Sequence, residues 1–170
     1  MIYRFRIILD TEEDVFRDIE IEQDATLEQF HNVITQSFGF DGTEMASFYI
    51  SDDQWNQGEE ISLFDMSEGN QPVRLMNETT LIDVVNEASP KLIYIYDFLS
   101  MWTFLVELAE ISEYENGMEY PNVMFVHGQI PDHAPEKEFK SDESMDFDEG
   151  NEDFMDLDEY DDLGFDENWN

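Results

Sequence analysis

The 170-residue sequence contains no cysteine, so disulfides, thiolate metal sites and thiol nucleophiles are excluded together. Positive charge is nearly as scarce: seven Lys plus Arg stand against 43 Asp plus Glu, for a formal charge of −36. A protein that neutralises phosphates does so with a basic stripe, and none exists here, which argues against direct nucleic-acid binding. Anionic membrane surfaces are disfavoured on the same ground. No segment approaches the roughly 20 apolar residues that span a bilayer. The opening run Met1 to Asp10 has too short an apolar stretch for a signal peptide, so a cytoplasmic protein is expected. What is present is 41% hydrophobic and 14% aromatic content, enough for one real core in a length that suits one domain with an appendage.

Charge marks the boundary. Residues 1–135 hold five basic residues (Arg4, Arg6, Arg17, Arg74, Lys91) and 27 acidic ones, whereas Ser141 to Asn170 has no Lys or Arg and an acid at nearly every second position. Repulsion at that density opposes compaction, so the expectation is a domain over 1–135 and an acidic, aromatic-dotted disordered tail over 136–170.

Tyr3, Phe5, Ile7 and Leu9 alternate with Arg4, Arg6 and Ile8, the pattern of a half-buried strand. A second run puts Val15, Ile19 and Ile21 on one face and Asp18, Glu20 and Glu22 on the other. Antiparallel pairing of the two sets Arg4 opposite Glu20 and Arg6 opposite Asp18. Arg17 falls on the apolar face, which an edge position or a partner would explain. Thr26-Leu27-Glu28-Gln29 has capping-box spacing, and Leu27, Phe30, Ile34 and Phe38 recur at helical intervals until Gly39. Further strands are expected at Ser47 to Ile50, Ile61 to Phe64 and Val73 to Met76, with a polar loop from Ser51 to Glu60 and a short helix from Leu81 to Glu87. Lys91 to Phe98 and Trp102 to Ile111 read as a hairpin whose connection, Leu99-Ser100-Met101, is unusually apolar for a turn. The class is α+β: a mixed sheet with a hairpin, one crossing amphipathic helix and further strands, opening as a β-grasp does.

Three segments resemble the plasmid pRiA ORF-three-like family, whose members also occur as passengers of mobile elements. They are Leu27-Glu28-Gln29-Phe30-His31-Asn32-Val33-Ile34 with Phe38-Gly39-Phe40, then Phe48-Tyr49-Ile50, then Leu92-Ile93-Tyr94-Ile95-Tyr96-Asp97-Phe98 with Trp102. The resemblance covers residue 3 to about residue 131 and implies a bacterial α+β protein with no established activity. The chain departs from the family where histidines usually follow the helix, having Glu44-Met45-Ala46. It departs again in the hairpin at Leu99, Ser100 and Phe104, and near Gly128-Gln129-Ile130-Pro131.

Chemistry-bearing residues are few. His31, sitting on the helix beside Phe30, reads most simply as a structural or surface histidine. His127 and His133 flank Gly128 and Pro131, where a two-histidine-plus-carboxylate metal site is conceivable, but their spacing matches no helix or strand face. The acidic run beginning at Asp146 puts Gly150 where a calcium loop needs its third ligand, and the run Asp156 to Tyr160 lacks the loop's glycine. No phosphate-cradling glycine loop, nucleophile elbow or zinc signature is present, and no cofactor is expected. Asp97, set in an apolar hairpin, is the carboxylate that stands out: either it belongs to a site or it accepts hydrogen bonds from the following turn. Tyr94, Tyr96, Asp97 and Trp102 form the candidate site within the domain, with core packing as the bland account of the rings.

In the tail, Phe154, Leu157, Tyr160, Leu163, Phe165 and Trp169 stand at intervals among acids, with Phe147 and Met155 beside them. Such interleaving keeps a segment open and offers anchors to a basic, grooved partner. Docking onto its own domain and an idle tail are the competing accounts. The preferred function is a non-enzymatic adaptor that binds a basic protein, nucleic-acid-binding or ribosomal. The alternative is an enzyme or metal protein with a site near Asp97, Trp102 and His127.

Overall fold

A computed structural model describes residues 1–65 and 72–134. The element order is β1 (Ile2–Leu9), β2 (Phe16–Glu22), α1 (Leu27–Phe38), β3 (Ala46–Ser51), β4 (Gln57–Ser62) and β5 (Arg74–Leu75). A 3-10 turn (Met76–Glu78), α2 (Leu81–Val84), β6 (Lys91–Tyr96), β7 (Trp102–Ser112) and β8 (Asn122–His127) follow. One eight-stranded sheet runs β5-β4-β3-β6-β7-β1-β2-β8. Every neighbouring pair is antiparallel except β4 with β5, so the sheet is mixed and the class is α+β.

Alternation decides which face is buried. Tyr3, Phe5, Ile7 and Leu9 turn to the helix side with Ile19, Ile21, Phe48, Tyr94 and Phe104, all buried, while Arg4 and Arg6 take the other face. Helix α1 leaves β2, crosses this apolar face and delivers the chain to β3 in the far half of the sheet. Its start is fixed by Thr26, whose hydroxyl accepts from the Gln29 amide at 3.1 Å while Gln29 Oε1 accepts from the Thr26 amide at 2.9 Å. Its end is Gly39 at φ 88°, a left-handed conformation that a side chain would strain. Leu27, Phe30, Ile34 and Phe38 face the sheet, and Phe30 packs between Phe5 and Phe48 with ring centroids at 4.6 and 5.6 Å. Burial of each such side chain contributes about 1.5–3 kcal/mol.

Local chemistry sets the departures from the sequence pattern. The loop expected from Ser51 to Glu60 already becomes β4 at Gln57, and the apolar run at Val73 to Met76 yields only a two-residue parallel strand before the 3-10 turn. Helix α2 stops at Val84 because Asn86 Oδ1 accepts from the amides of Ala88 and Ser89, both at 2.9 Å, closing a turn where a helix was expected to Glu87. Strand β8 has no counterpart in the sequence reading. It pairs with β2, so β2 is an interior strand and Arg17 does not sit at an edge.

Candidate interaction site

The end of the β6–β7 hairpin gathers Tyr94, Tyr96, Asp97 and Trp102, and the four have different roles. Tyr94 is wholly buried, and its hydroxyl lies 2.6 Å from Nδ1 of His31 on α1. Burial drives the His31 pKa down to about 4 and, with Tyr96 nearby, raises that of Tyr94 well above its ordinary value, so both are neutral. Tyr96 is buried in its ring, while its hydroxyl donates to Asp41 Oδ1 at 3.1 Å and accepts from the Gly42 amide at 3.1 Å. Burial raises the Tyr96 pKa. Asp41 is held below the usual carboxylate range, first by the Thr43 amide, then by the Thr43 hydroxyl and Tyr96. Trp102, paired with Tyr96 across the hairpin, packs on Phe40 at 5.2 Å. These rings are core, and the hydroxyls of Tyr94 and Tyr96 are satisfied by His31, Asp41 and the Gly42 amide.

Asp97 is a turn residue. At φ 64° its carboxylate accepts from the amides of Leu99 at 3.1 Å and Ser100 at 3.5 Å, and its carbonyl accepts from the Met101 amide at 2.5 Å. The turn it stabilises holds Phe98, Leu99 and Met101 out to solvent, with Leu99 at 95% exposure. His127 is not part of this group. It lies on β8, beyond β1 and β2, on the face away from α1, stacked on Phe16 at 5.1 Å. A site combining Asp97, Trp102 and His127 is therefore not assembled. Among the described residues no group of three or more His, Asp or Glu side chains is disposed to hold a metal ion. The six tail positions Phe154, Leu157, Tyr160, Leu163, Phe165 and Trp169 lie outside the described residues.

The five basic side chains of the domain account for its electrostatics. Arg4 divides its guanidinium between Glu20 at 3.2 Å and Glu110 at 2.7 Å, and its Nε is buried without an acceptor. Arg6 pairs both Nε and its terminal nitrogen with Asp18, at 2.8 and 2.9 Å, and lies over the Phe16 ring. Arg74 meets Glu59 at 3.1 Å, and Lys91 donates to the Asp53 carbonyl at 3.0 Å while sitting over Trp55. Arg17, only 5% exposed, is bound by carbonyl oxygens: Ser37 at 2.8 Å, Phe16 at 2.9 Å, and His127 and Gly128 both at 3.1 Å. Its guanidinium also covers the Phe38 ring at 4.5 Å, and burial lowers its pKa. It therefore closes the C-terminal end of α1 and fastens the end of β8 to β2. All five basic side chains of the domain are thus engaged internally. Exposed carboxylates such as Glu12, Glu44, Glu78, Glu113 and Glu119 face solvent with no cationic partner among the described residues.

Sequence reasoning missed Asp41 and the strand that carries His127. Signals for both exist: Asp41 stands two residues before Thr43, the spacing of a side-chain-to-amide turn, and Val123 to Val126 is a strand-forming run bounded by Pro121 and Gly128.

The family model described as plasmid pRiA4b ORF-3-like protein matches residues 1–161. The chain belongs to that family. A protein of unknown function, MM3350 from Methanosarcina mazei Go1, has a similar crystal structure, with a TM-score of 0.65 and 18% sequence identity over 74% of this chain and 68% of that one. At that identity the likeness shows the fold alone. No curated protein matches the chain. As a pRiA4b ORF-3-like protein it has an α+β domain, and no helix among its described residues is long and apolar enough to cross a membrane.

Proposed function

We propose that this pRiA4b ORF-3-like chain is a non-enzymatic cytoplasmic interaction protein that binds a basic protein partner through its acidic domain and C-terminal tail. The observation that carries the reading is the internal use of all five basic side chains of the domain, which leaves an outward field of carboxylates. That field raises the encounter rate with a cationic partner and disfavours nucleic acid and anionic lipid. The interleaved tail residues Phe154, Leu157, Tyr160, Leu163, Phe165 and Trp169 supply apolar anchors, and the carboxylates between them supply salt dependence. A nucleic-acid-binding or ribosomal protein has the required charge, and nucleic acid would compete for it.

The test is capture of partners on the immobilised full chain beside a full-length variant with those six residues replaced by Ser. The expected result is a basic protein that is released by added nucleic acid or raised salt and is absent from the variant. Equal capture by both chains removes the tail from the account.

A further inference from the structure

Strand β8 ends the sheet, and its outer edge is unpaired among the described residues. Natural sheets protect such edges with lysine, proline, inward charges, bulges or very short strands. This edge has six residues, Asn122-Val123-Met124-Phe125-Val126-His127, with no lysine, proline or acid among them and a single bulge at Met124. Four consecutive apolar side chains are exposed, at 38% for Val123, 45% for Met124, 51% for Phe125 and 57% for Val126. Both faces of the strand share in this. Val123 and Val126 pair with Ile19 and Arg17 and so lie on the helix side. Phe125 pairs with Asp18 and, with Met124 at the bulge, lines an open groove of about 350 Å³ beside Arg4 and Arg6.

The charge pattern selects the occupant. From Pro121 to Pro131 there is no Asp or Glu, in a chain that carries 43. The two arginines along the groove are already paired with Asp18, Glu20 and Glu110. A basic segment lying along β8 would find no carboxylate on the strand itself. A neutral apolar strand fits, and an antiparallel copy of β8 is such a strand, with apolar side chains to set against apolar side chains on both faces.

We propose that β8 pairs with the β8 of a second copy of this chain about a two-fold axis, joining two sheets edge to edge. Main-chain hydrogen bonds and the four apolar side chains hold the pair, while the charge of −36 on each chain opposes it. Dimerisation therefore strengthens as salt screens that repulsion, opposite in sign to the binding of a basic partner. The two readings are independent and separable.

Sedimentation of the full chain at about 50 and 500 mM salt tests this. The wild-type chain is expected to move from its 20.1 kDa monomer toward a dimer with concentration, more readily at the higher salt. Amide exchange in Asn122 to His127 should slow in parallel. Met124→Lys with Val126→Lys should weaken self-association at least about tenfold, although it lowers the net negative charge. A wild-type monomer at both salts up to about 100 μM overturns the proposal. So does a double variant that associates as wild type does. If the wild-type chain stays monomeric yet captures a basic protein in a salt-sensitive way, β8 pairing falls and the proposed function stands.

Discussion

Nδ1 of His31 and the hydroxyl of Tyr94 lie 2.6 Å apart inside the core, joining the buried face of α1 to the middle of β6. Neither is charged, and each satisfies a polar atom that burial would otherwise leave without a partner.

This pair makes stability depend on pH. The unfolded chain binds a proton on His31 near pH 6.5, whereas the folded chain resists it until about pH 4. Its contribution is therefore complete above pH ~6.5 and is lost as pH falls through that window, on the order of 3 kcal/mol in all. In His31→Leu, urea unfolding should show a flatter pH profile from 6.5 to 4 than wild type. At pH 7 the variant should be about 1–3 kcal/mol less stable, because the Tyr94 hydroxyl is orphaned. Parallel profiles for the two proteins would contradict the assignment.

Arg17 should be worth more than a surface cation. Arg17→Met removes the donors to the carbonyls of Ser37, Phe16, His127 and Gly128 and is expected to cost about 3 kcal/mol in urea unfolding. Arg17→Lys should recover less than half, since one ammonium cannot reproduce the guanidinium fork. Amide exchange should quicken first in β8, the element that Arg17 fastens. Uniform loss of protection across the sheet would instead mean that Arg17 serves the core as a whole.

Asp97 is predicted to act through its turn. Asp97→Ala loses the acceptor for Leu99 and Ser100 and places an alanine at φ 64°, for a cost of about 1–2 kcal/mol. Asp97→Asn keeps an acceptor and tolerates the left-handed conformation, so thermal unfolding should place it within about 0.5 kcal/mol of wild type. A large loss on the asparagine change would show that the negative charge itself is required.

What could be read from the sequence follows the range of the interactions. The pairing of Arg4 with Glu20 and Arg6 with Asp18 was legible because alternation and charge sign agree within one hairpin. The Thr26 to Gln29 cap and the Asp97 turn were legible because each closes within three residues. Arg17 was not, because its acceptors come from 20 and 110 residues away and are backbone atoms that no side-chain pattern marks. His31 could be read as structural, but its partner lies 63 residues further on. His127 draws attention as a metal ligand, yet it ends a strand whose only local signal is the composition of Val123 to Val126.

Recruitment of a basic protein by acidic charge and tail anchors is decided by what co-purifies from native lysate with residues 1–170 and with residues 1–140, at low and moderate salt. The expected result is a basic protein held by the longer chain, fading as salt rises and missing from the shorter one. Matching lists from the two chains, unchanged by salt, would contradict it.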